Sequence, residues 1–282
     1  MLFHQQDKLD DAERLYRRVL ELDPVHAKAL LFWGLLCADQ GRLDDAAKLL
    51  GMAIRQEPDS AEAHARLANV LQACHRDAEA MAHYQAAISI RPELAEAQNN
   101  LANALQSRGR HEDAVGHFQA ALAASPQFAE AHNNLANSLY ALGRLDEALT
   151  HYEVALRLRP DYAEAHTNWA NVLLHQHRTD EALLHYAAAL ELKPDLVEAH
   201  NNWGAALQAL GRHEQALACY RGALALRPQD AQLLCNVAGA LHALHRQGEA
   251  LICYEAALAI RPESAETHNN LGNALHDLHR YD

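Results

Sequence analysis

No run of apolar residues in this 282-residue chain is long enough to cross a bilayer, so a membrane-spanning protein is excluded as an expectation. No CxxC pair and no GxSxG, P-loop, GxGxxG or HExxH segment occurs, so the familiar signatures of metal, nucleophile and phosphate sites are missing. Nothing argues for an enzyme, and no cofactor is expected. The five cysteines are odd in number, and Cys219 and Cys253 hold equivalent places one repeat apart. They read as reduced, small apolar residues rather than a disulfide frame, which makes the cytoplasm the expected location. Basic residues are also short: 24 Lys and Arg against 37 Asp and Glu leave a net charge of −13. Such a surface repels phosphates and anionic lipid, so the expected partner is polypeptide, neutral or basic, and neither nucleic acid nor membrane. The first twenty residues are amphipathic and carry acids from the first turns, unlike a secretory signal. Disorder is excluded as well, because half of all residues are hydrophobic.

The eight prolines are what organises the chain. Pro24, Pro58, Pro92, Pro126, Pro160, Pro194, Pro228 and Pro262 fall every 34 residues, and no proline lies off this lattice. A fixed period of that size is the mark of a solenoid. With Ala27 as first position, full units span 27–60, 61–94, 95–128, 129–162, 163–196, 197–230 and 231–264, with partial units at 1–26 and 265–282. The whole chain reads as one array. Each unit holds two apolar stretches at helical spacing, such as Leu101, Ala102 and Leu105, then Ala114, Phe118, Ala121 and Leu122. A glycine or histidine separates them, as at Gly109, Gly143, His177, Gly211 and His245, and the proline ends the second helix. Acids such as Asp146 and Glu147 open second helices, and bases such as Arg159 and Lys193 close them, as the helix dipole favours.

Side-chain size repeats too. Second helices carry Ala12, Ala46, Ala80, Ala114, Ala148, Ala182, Ala216 and Ala250, each followed four residues later by a ring, with Leu50 the exception. First helices pair a bulky residue (Trp33, Leu67, Leu101, Leu135, Trp169, Trp203) with a small one (Gly34, Ala68, Ala102, Ala136, Ala170, Gly204). Small residues let backbones approach and the neighbouring ring fills the space, so these rings read as core rather than as a ligand cage. The pattern resembles the tetratricopeptide repeat along essentially the whole chain. That resemblance implies an all-α, right-handed superhelical solenoid of antiparallel helix pairs, with first helices lining a concave face. It also implies a scaffold for protein–protein interaction.

On such a face the non-core positions decide function, and asparagine dominates them. One column holds Asn100, Asn134, Asn168, Asn202, Asn236 and Asn270; another, three residues on, holds Asn69, Asn103, Asn137, Asn171 and Asn273. Asn99, Asn133, Asn201 and Asn269 widen the stripe. Spacing of three places both columns on one helix face. Asparagine is a poor helix-interior residue, so its recurrence needs a reason. Its amide pairs with a peptide main chain and suits an extended polypeptide, but equally the amides can bond one another and stiffen the stack. Replacing Asn134, Asn168 and Asn202 together by alanine is expected to abolish capture and leave helicity and melting intact.

The phrases AEAHNNLANSL and AEAQNNLANAL are similar to the superhelical arm of O-linked N-acetylglucosamine transferases, where an asparagine ladder at the first column's place holds substrate peptides. The match fails at Phe32 and Arg66, which puts the ladder in doubt toward the N-terminus, and the transferase's catalytic domain is absent. The resemblance implies a substrate-recruiting arm of a larger glycosyltransferase as an alternative to a free-standing scaffold. Glu62, Glu96, Glu130, Glu164, Glu198 and Glu266 add a row of acid at the second position, serving the helix dipole or favouring Lys- and Arg-containing ligands. Tetratricopeptide co-chaperones clamp a carboxylate with basic residues at the second and fifth positions; none of Leu31, Ala65, Asn99, Asn133, Thr167, Asn201, Cys235 and Asn269 is basic, which argues against that mode.

Twenty histidines raise a metal question. Nine stand in two columns, His64, His132, His166, His200 and His268 in first helices and His83, His117, His151 and His185 in second helices. Members of one column lie a helix diameter apart, about 8–10 Å, too far to share a metal. His242/His245 and His276/His279 are at best weak adventitious sites, and no metal centre is expected. Sensitivity to pH near 6 is expected instead. The arginines that follow each turn, including Arg42, Arg110 and Arg144, are read as local salt bridges to acids such as Asp44, Glu112 and Asp146. Finally, Met1 reads as partway through a first helix and Tyr281–Asp282 as the start of a second, leaving uncapped apolar ends. Fraying there and homodimer formation through ends or convex face form a third, self-associating reading.

Overall fold

The computed structural model describes residues 2–281, with side chains described for residues 8–278. Sixteen α-helices and no strand occur among the described residues. The chain forms two compact units, Met1–Arg144 and Leu145–Asp282. The first contains α1 (Leu2–Leu22), α2 (Ala27–Asp39), α3 (Leu43–Gln56), α4 (Ala61–Ala73), α5 (Asp77–Ile90), α6 (Ala95–Gln106), α7 (His111–Ala124) and α8 (Ala129–Ala141). The second contains α9 (Leu145–Leu158), α10 (Ala163–His175), α11 (Thr179–Leu192), α12 (Val197–Ala209), α13 (His213–Leu226), α14 (Ala231–Ala243), α15 (Gln247–Ile260) and α16 (Ala265–Tyr281). Within each unit the two helices of a repeat pack closely, α4 on α5, α6 on α7, α10 on α11, and each pair packs on the next.

Each inter-helix turn closes the same way. Gly109 adopts φ +73°, and the amide of Arg110 returns to the carbonyl of Leu105 at 3.0 Å, so the last carbonyls of α6 find donors. Histidine takes the same left-handed conformation at His75, His177 and His245, where a Cβ must be accommodated. The second-helix rings Tyr84, Phe118, Tyr152 and Tyr186 are fully buried, all at 0% exposure, which rules these four out as a ligand cage. They press on the small residues of the first helix. A Cβ on Gly204 would lie 2.7 Å from the Tyr220 ring, so glycine is required for that approach.

Two departures from the repeat lie at the ends. Residues 2–22 form one 21-residue helix, where the partial unit implied a turn near residue 7. Likewise α16 continues through residue 279, the turn position of every other repeat, to Tyr281. A turn is stabilised by the packing of the second helix on the first, and without that partner the intrahelical ladder simply continues. The expected fraying and the His276/His279 pair fall in part on side chains outside the described residues. No helix among those described is long and apolar enough to cross a membrane.

Candidate functional site

The asparagine columns form an amide relay between successive first helices. In the first unit Asn99 donates to Asn100 Oδ1 (3.2 Å), and Asn100 Nδ2 donates to Asn69 Oδ1 of the preceding repeat (3.0 Å). One repeat on, Asn133 donates to Asn134 and Asn134 to Asn103, both at 3.0 Å. The second unit repeats the motif with Asn201, Asn202 and Asn171, each bond 3.1 Å. The sequence left open whether these amides bond each other; in both units they do. The third set is therefore not a widening of the stripe at Asn99 and Asn133, which are buried behind it.

This relay gives the two columns different free chemistry. A first-column amide spends its carbonyl and one N–H on the stack. At Asn69, Asn103 and Asn171 a second-column amide spends only its carbonyl, once at Asn103 and twice at the other two. Asn69 Oδ1 accepts from Asn100 and from the Tyr84 hydroxyl (2.6 Å), and Asn171 Oδ1 accepts from Asn202 and from Tyr186 (2.5 Å). Burial pushes the Tyr84 phenol up to about 12, so it stays protonated and remains a donor. An amide whose oxygen faces two donors resists flipping, although at Asn69 the one proton of Tyr84 is shared with Gln72 Oε1 (2.9 Å). Its NH2 group is thus fixed away from the relay, with no acceptor among the described residues for Asn69 or Asn171. Nothing in the residue pattern distinguished the columns in this way; the signal lay in the tyrosine column, read only as core.

The remaining sequence candidates divide. Asn137 and Asn168 are half-buried and engaged within the protein. Asn236 lacks a position-nine asparagine to reach, because Ala205 stands there, and donates to Asn201 Oδ1 instead (2.8 Å). Asn270 is half-buried and Asn273 exposed, and neither meets a partner among the described residues. At the failed positions, Phe32 lies near the Tyr16 ring at 6.4 Å between centroids, and Arg66 lines a cleft.

The two histidine columns meet within a repeat. First-helix histidines tie down the preceding linker: His64 Nε2 faces the Pro58 carbonyl (3.1 Å), His200 the Pro194 carbonyl and His268 the Pro262 carbonyl (both 2.9 Å). A carbonyl only accepts, so Nε2 carries the proton and Nδ1 is left bare. That bare nitrogen accepts from the second helix, with His64 and His83 Nδ1 atoms 3.0 Å apart and His166 and His185 at 2.9 Å. Gln98 does the same with an amide: Nε2 donates to Pro92 O (3.0 Å) and Oε1 accepts from His117 (2.7 Å). The position needs one donor and one acceptor, not a charge. Burial, then the neighbouring imidazole, lowers His83, and the same causes bring His185 down to about 4; burial also lowers His117 and His166. The expectation of general titration near pH 6 is therefore corrected for these four. No group of three His, Cys, Asp or Glu comes together among the described residues.

The turn arginines do form local ion pairs, but with the acid three residues on: Arg76 with Glu79 (2.8 Å), Arg110 with Asp113 (2.7 Å), Arg178 with Glu181 (2.8 Å) and Arg246 with Glu249 (2.7 Å). Arg42 instead reaches Glu13 on α1 at 2.7 Å. The named acids Asp44 and Glu112 are not the partners. In the second-position row of acids, Glu164 pairs with Lys193 (2.8 Å) and Glu198 with Arg227 (3.0 Å).

Repeated helix pairs, small-on-ring packing and a polar face define a helical repeat protein. The chain belongs to the tetratricopeptide repeat family: profiles of that description match residues 3–70, 61–94, 99–163, 135–197 and 195–263. Members of this family mediate protein–protein interaction. No curated protein matches the chain in sequence. Among solved structures, a chain of the APC/C heterotetramer Cut9–Hcn1 aligns with TM-score 0.72 at 17% identity, over 95% of this chain and 52% of that one. This chain thus spans about half of that relative, which shows the fold alone. YrrB, described as a TPR protein with an unusual peptide-binding site, aligns with TM-score 0.55 at 26% identity, over 71% of this chain and 99% of that one. MamA aligns with TM-score 0.52 at 26% identity, over 57% and 94%.

Proposed function

We propose that this protein is a non-catalytic scaffold that holds an extended polypeptide by its main chain along the asparagine face of its first helices. The observation that carries the reading is the doubly hydrogen-bonded carbonyl at two positions of the second column. Asn69 and Asn171 have both oxygen lone pairs taken by the fold, which leaves oriented N–H donors where a partner's backbone carbonyls would lie. The first column contributes one further N–H at Asn100, Asn134 and Asn202. Peptide binding by YrrB, similar over most of this chain, supports the reading. The net charge of −13 favours neutral or basic partners.

The test separates binding from stacking. Aspartate is isosteric with asparagine and keeps the acceptor while removing the donors. Asn69→Asp, Asn103→Asp and Asn171→Asp together should weaken binding of a fluorescein-labelled, capped Ser/Ala/Asn peptide by about tenfold or more, with little change in melting. Asn134→Ala and Asn202→Ala should lower stability by about 1 kcal/mol each through the lost inter-repeat bond, contrary to the intact melting that the sequence suggested. Unchanged anisotropy in the triple aspartate variant would sink the reading.

A second reading, the recruiting arm of a larger glycosyltransferase, is supported by the first-column match at Asn100, Asn134 and Asn202. It predicts a sugar-nucleotide-binding domain in the same reading frame, which sequencing of the parent transcript decides.

A further inference from the structure

We infer that the paired histidines His64–His83 and His166–His185 are binding sites for a late first-row divalent cation, Cu²⁺ foremost, each held between the first and second helix of one repeat. Members of a single histidine column stand about a helix diameter apart and cannot share a metal; a pair drawn from both columns can. Two nitrogens at about 2.0–2.1 Å from a metal lie about 2.8–3.0 Å apart at a right angle, and about 3.3–3.4 Å apart at the tetrahedral angle. The Nδ1 atoms stand 3.0 Å apart in the first unit and 2.9 Å apart in the second, the right-angle spacing of a square-planar site. Both pairs have one shape, with ring centroids 5.1 Å apart and planes tilted by 38° and 37°.

The outer hydrogen bonds are those of metal ligands. His64 Nε2 donates to the Pro58 carbonyl and His166 is bonded to that of Pro160, which fixes the tautomer and turns a bare Nδ1 toward the second helix. Without metal, the proton between the rings sits on Nδ1 of His83 or His185. Binding moves it through water to Nε2 of the same ring, so the imidazole stays neutral and both Nδ1 lone pairs meet the cation. Burial holds His83 and His185 neutral, and so able to ligate, at neutral pH. His83 also lines a cleft of about 230 Å³ with Asp44 and Glu79, which opens its ring to solvent. Glu79 is shared with Arg76 and Glu181 with Arg178, so the charge beside each pair is balanced. No third His, Cys, Asp or Glu joins either pair among the described residues, so water completes the coordination and the cation is exchangeable. Repeat 95–128 is the built-in control: Gln98 keeps both hydrogen bonds of the position but offers an amide oxygen where copper and zinc favour imidazole.

The full chain carries its own reporter, because the Trp169 ring stacks on His185 at 4.4 Å, within quenching reach of a bound Cu²⁺. Cu²⁺ titrated at neutral pH in a non-coordinating buffer should quench tryptophan emission saturably, and Trp169→Phe should remove most of that change. His166→Gln, which copies Gln98, and His185→Gln should each raise the half-saturating concentration by about tenfold or more, with circular dichroism unchanged. Isothermal titration should count two fewer sites in His64→Gln with His166→Gln than in the parent. A half-saturation that neither single variant alters, or a site count equal to the parent's, would mean adventitious binding at exposed histidines only and overturn the inference.

Discussion

Repeats 95–128 and 163–196 lie in different units and solve the same packing problem with different residues. Each has a fully buried ring, Phe118 in one and Tyr186 in the other, beneath an alanine of the first helix. Each ties its linker through position four, by Gln98 in one and His166 in the other, to a histidine of the second helix. Only the second adds a hydroxyl bond to the position-nine amide and an ion pair from Lys193 to Glu164. What is common is therefore shape and hydrogen-bond sense; charge and the phenol hydroxyl are additions on top.

The largest effect should be common to both repeats. Phe118→Ala and Tyr186→Ala should each lower stability by about 3–5 kcal/mol in denaturant unfolding, because each empties a sealed ring site. Tyr186→Phe should cost only about 1 kcal/mol, the worth of one hydrogen bond, and should leave the second repeat resembling the first. A large loss in that variant would mean the hydroxyl, not the ring, holds the pair together.

A middle-sized effect concerns pH. His83 and His185 have folded pKa values below their usual one, so the unfolded chain takes up protons first as pH falls. The stability they contribute is complete above about pH 6.5 and is lost as pH falls, for His185 through about 4. For the His166–His185 pair the loss is on the order of 1–2 kcal/mol once solvent screening is allowed for. Glu181, which faces His185, opposes the shift but is itself held by Arg178. His64→Gln with His166→Gln copies Gln98 and should flatten the pH dependence without loss of stability at pH 8. A curve as steep as the parent's would place the titrating group elsewhere.

The smallest effect should be Lys193→Ser, which gives the second repeat the Ser125 of the first. That pair is about half exposed, so the change should cost less than about 1 kcal/mol and vanish in high salt.

The helix pairs, their register and the buried columns were legible in the residues, because a 34-residue proline lattice and an alanine-then-ring spacing leave one way to bury the apolar faces. The ends were less so: α1 and α16 run straight through expected turns, since a turn depends on a neighbour the repeat pattern takes for granted. The site was half legible. Asparagine at positions six and nine marked the face, but the partners of an amide depend on the next repeat, 31 residues away, and on a tyrosine 15 residues away.

By itself, then, the sequence determined which residues are helical, which are core and which face is polar, because period and side-chain volume act locally and through immediate neighbours. Only tertiary packing decided which amides are spent on the stack and which histidines meet. Hydrogen bonds and ion pairs are decided over distances of an ångström or less, and no spacing in the chain records them.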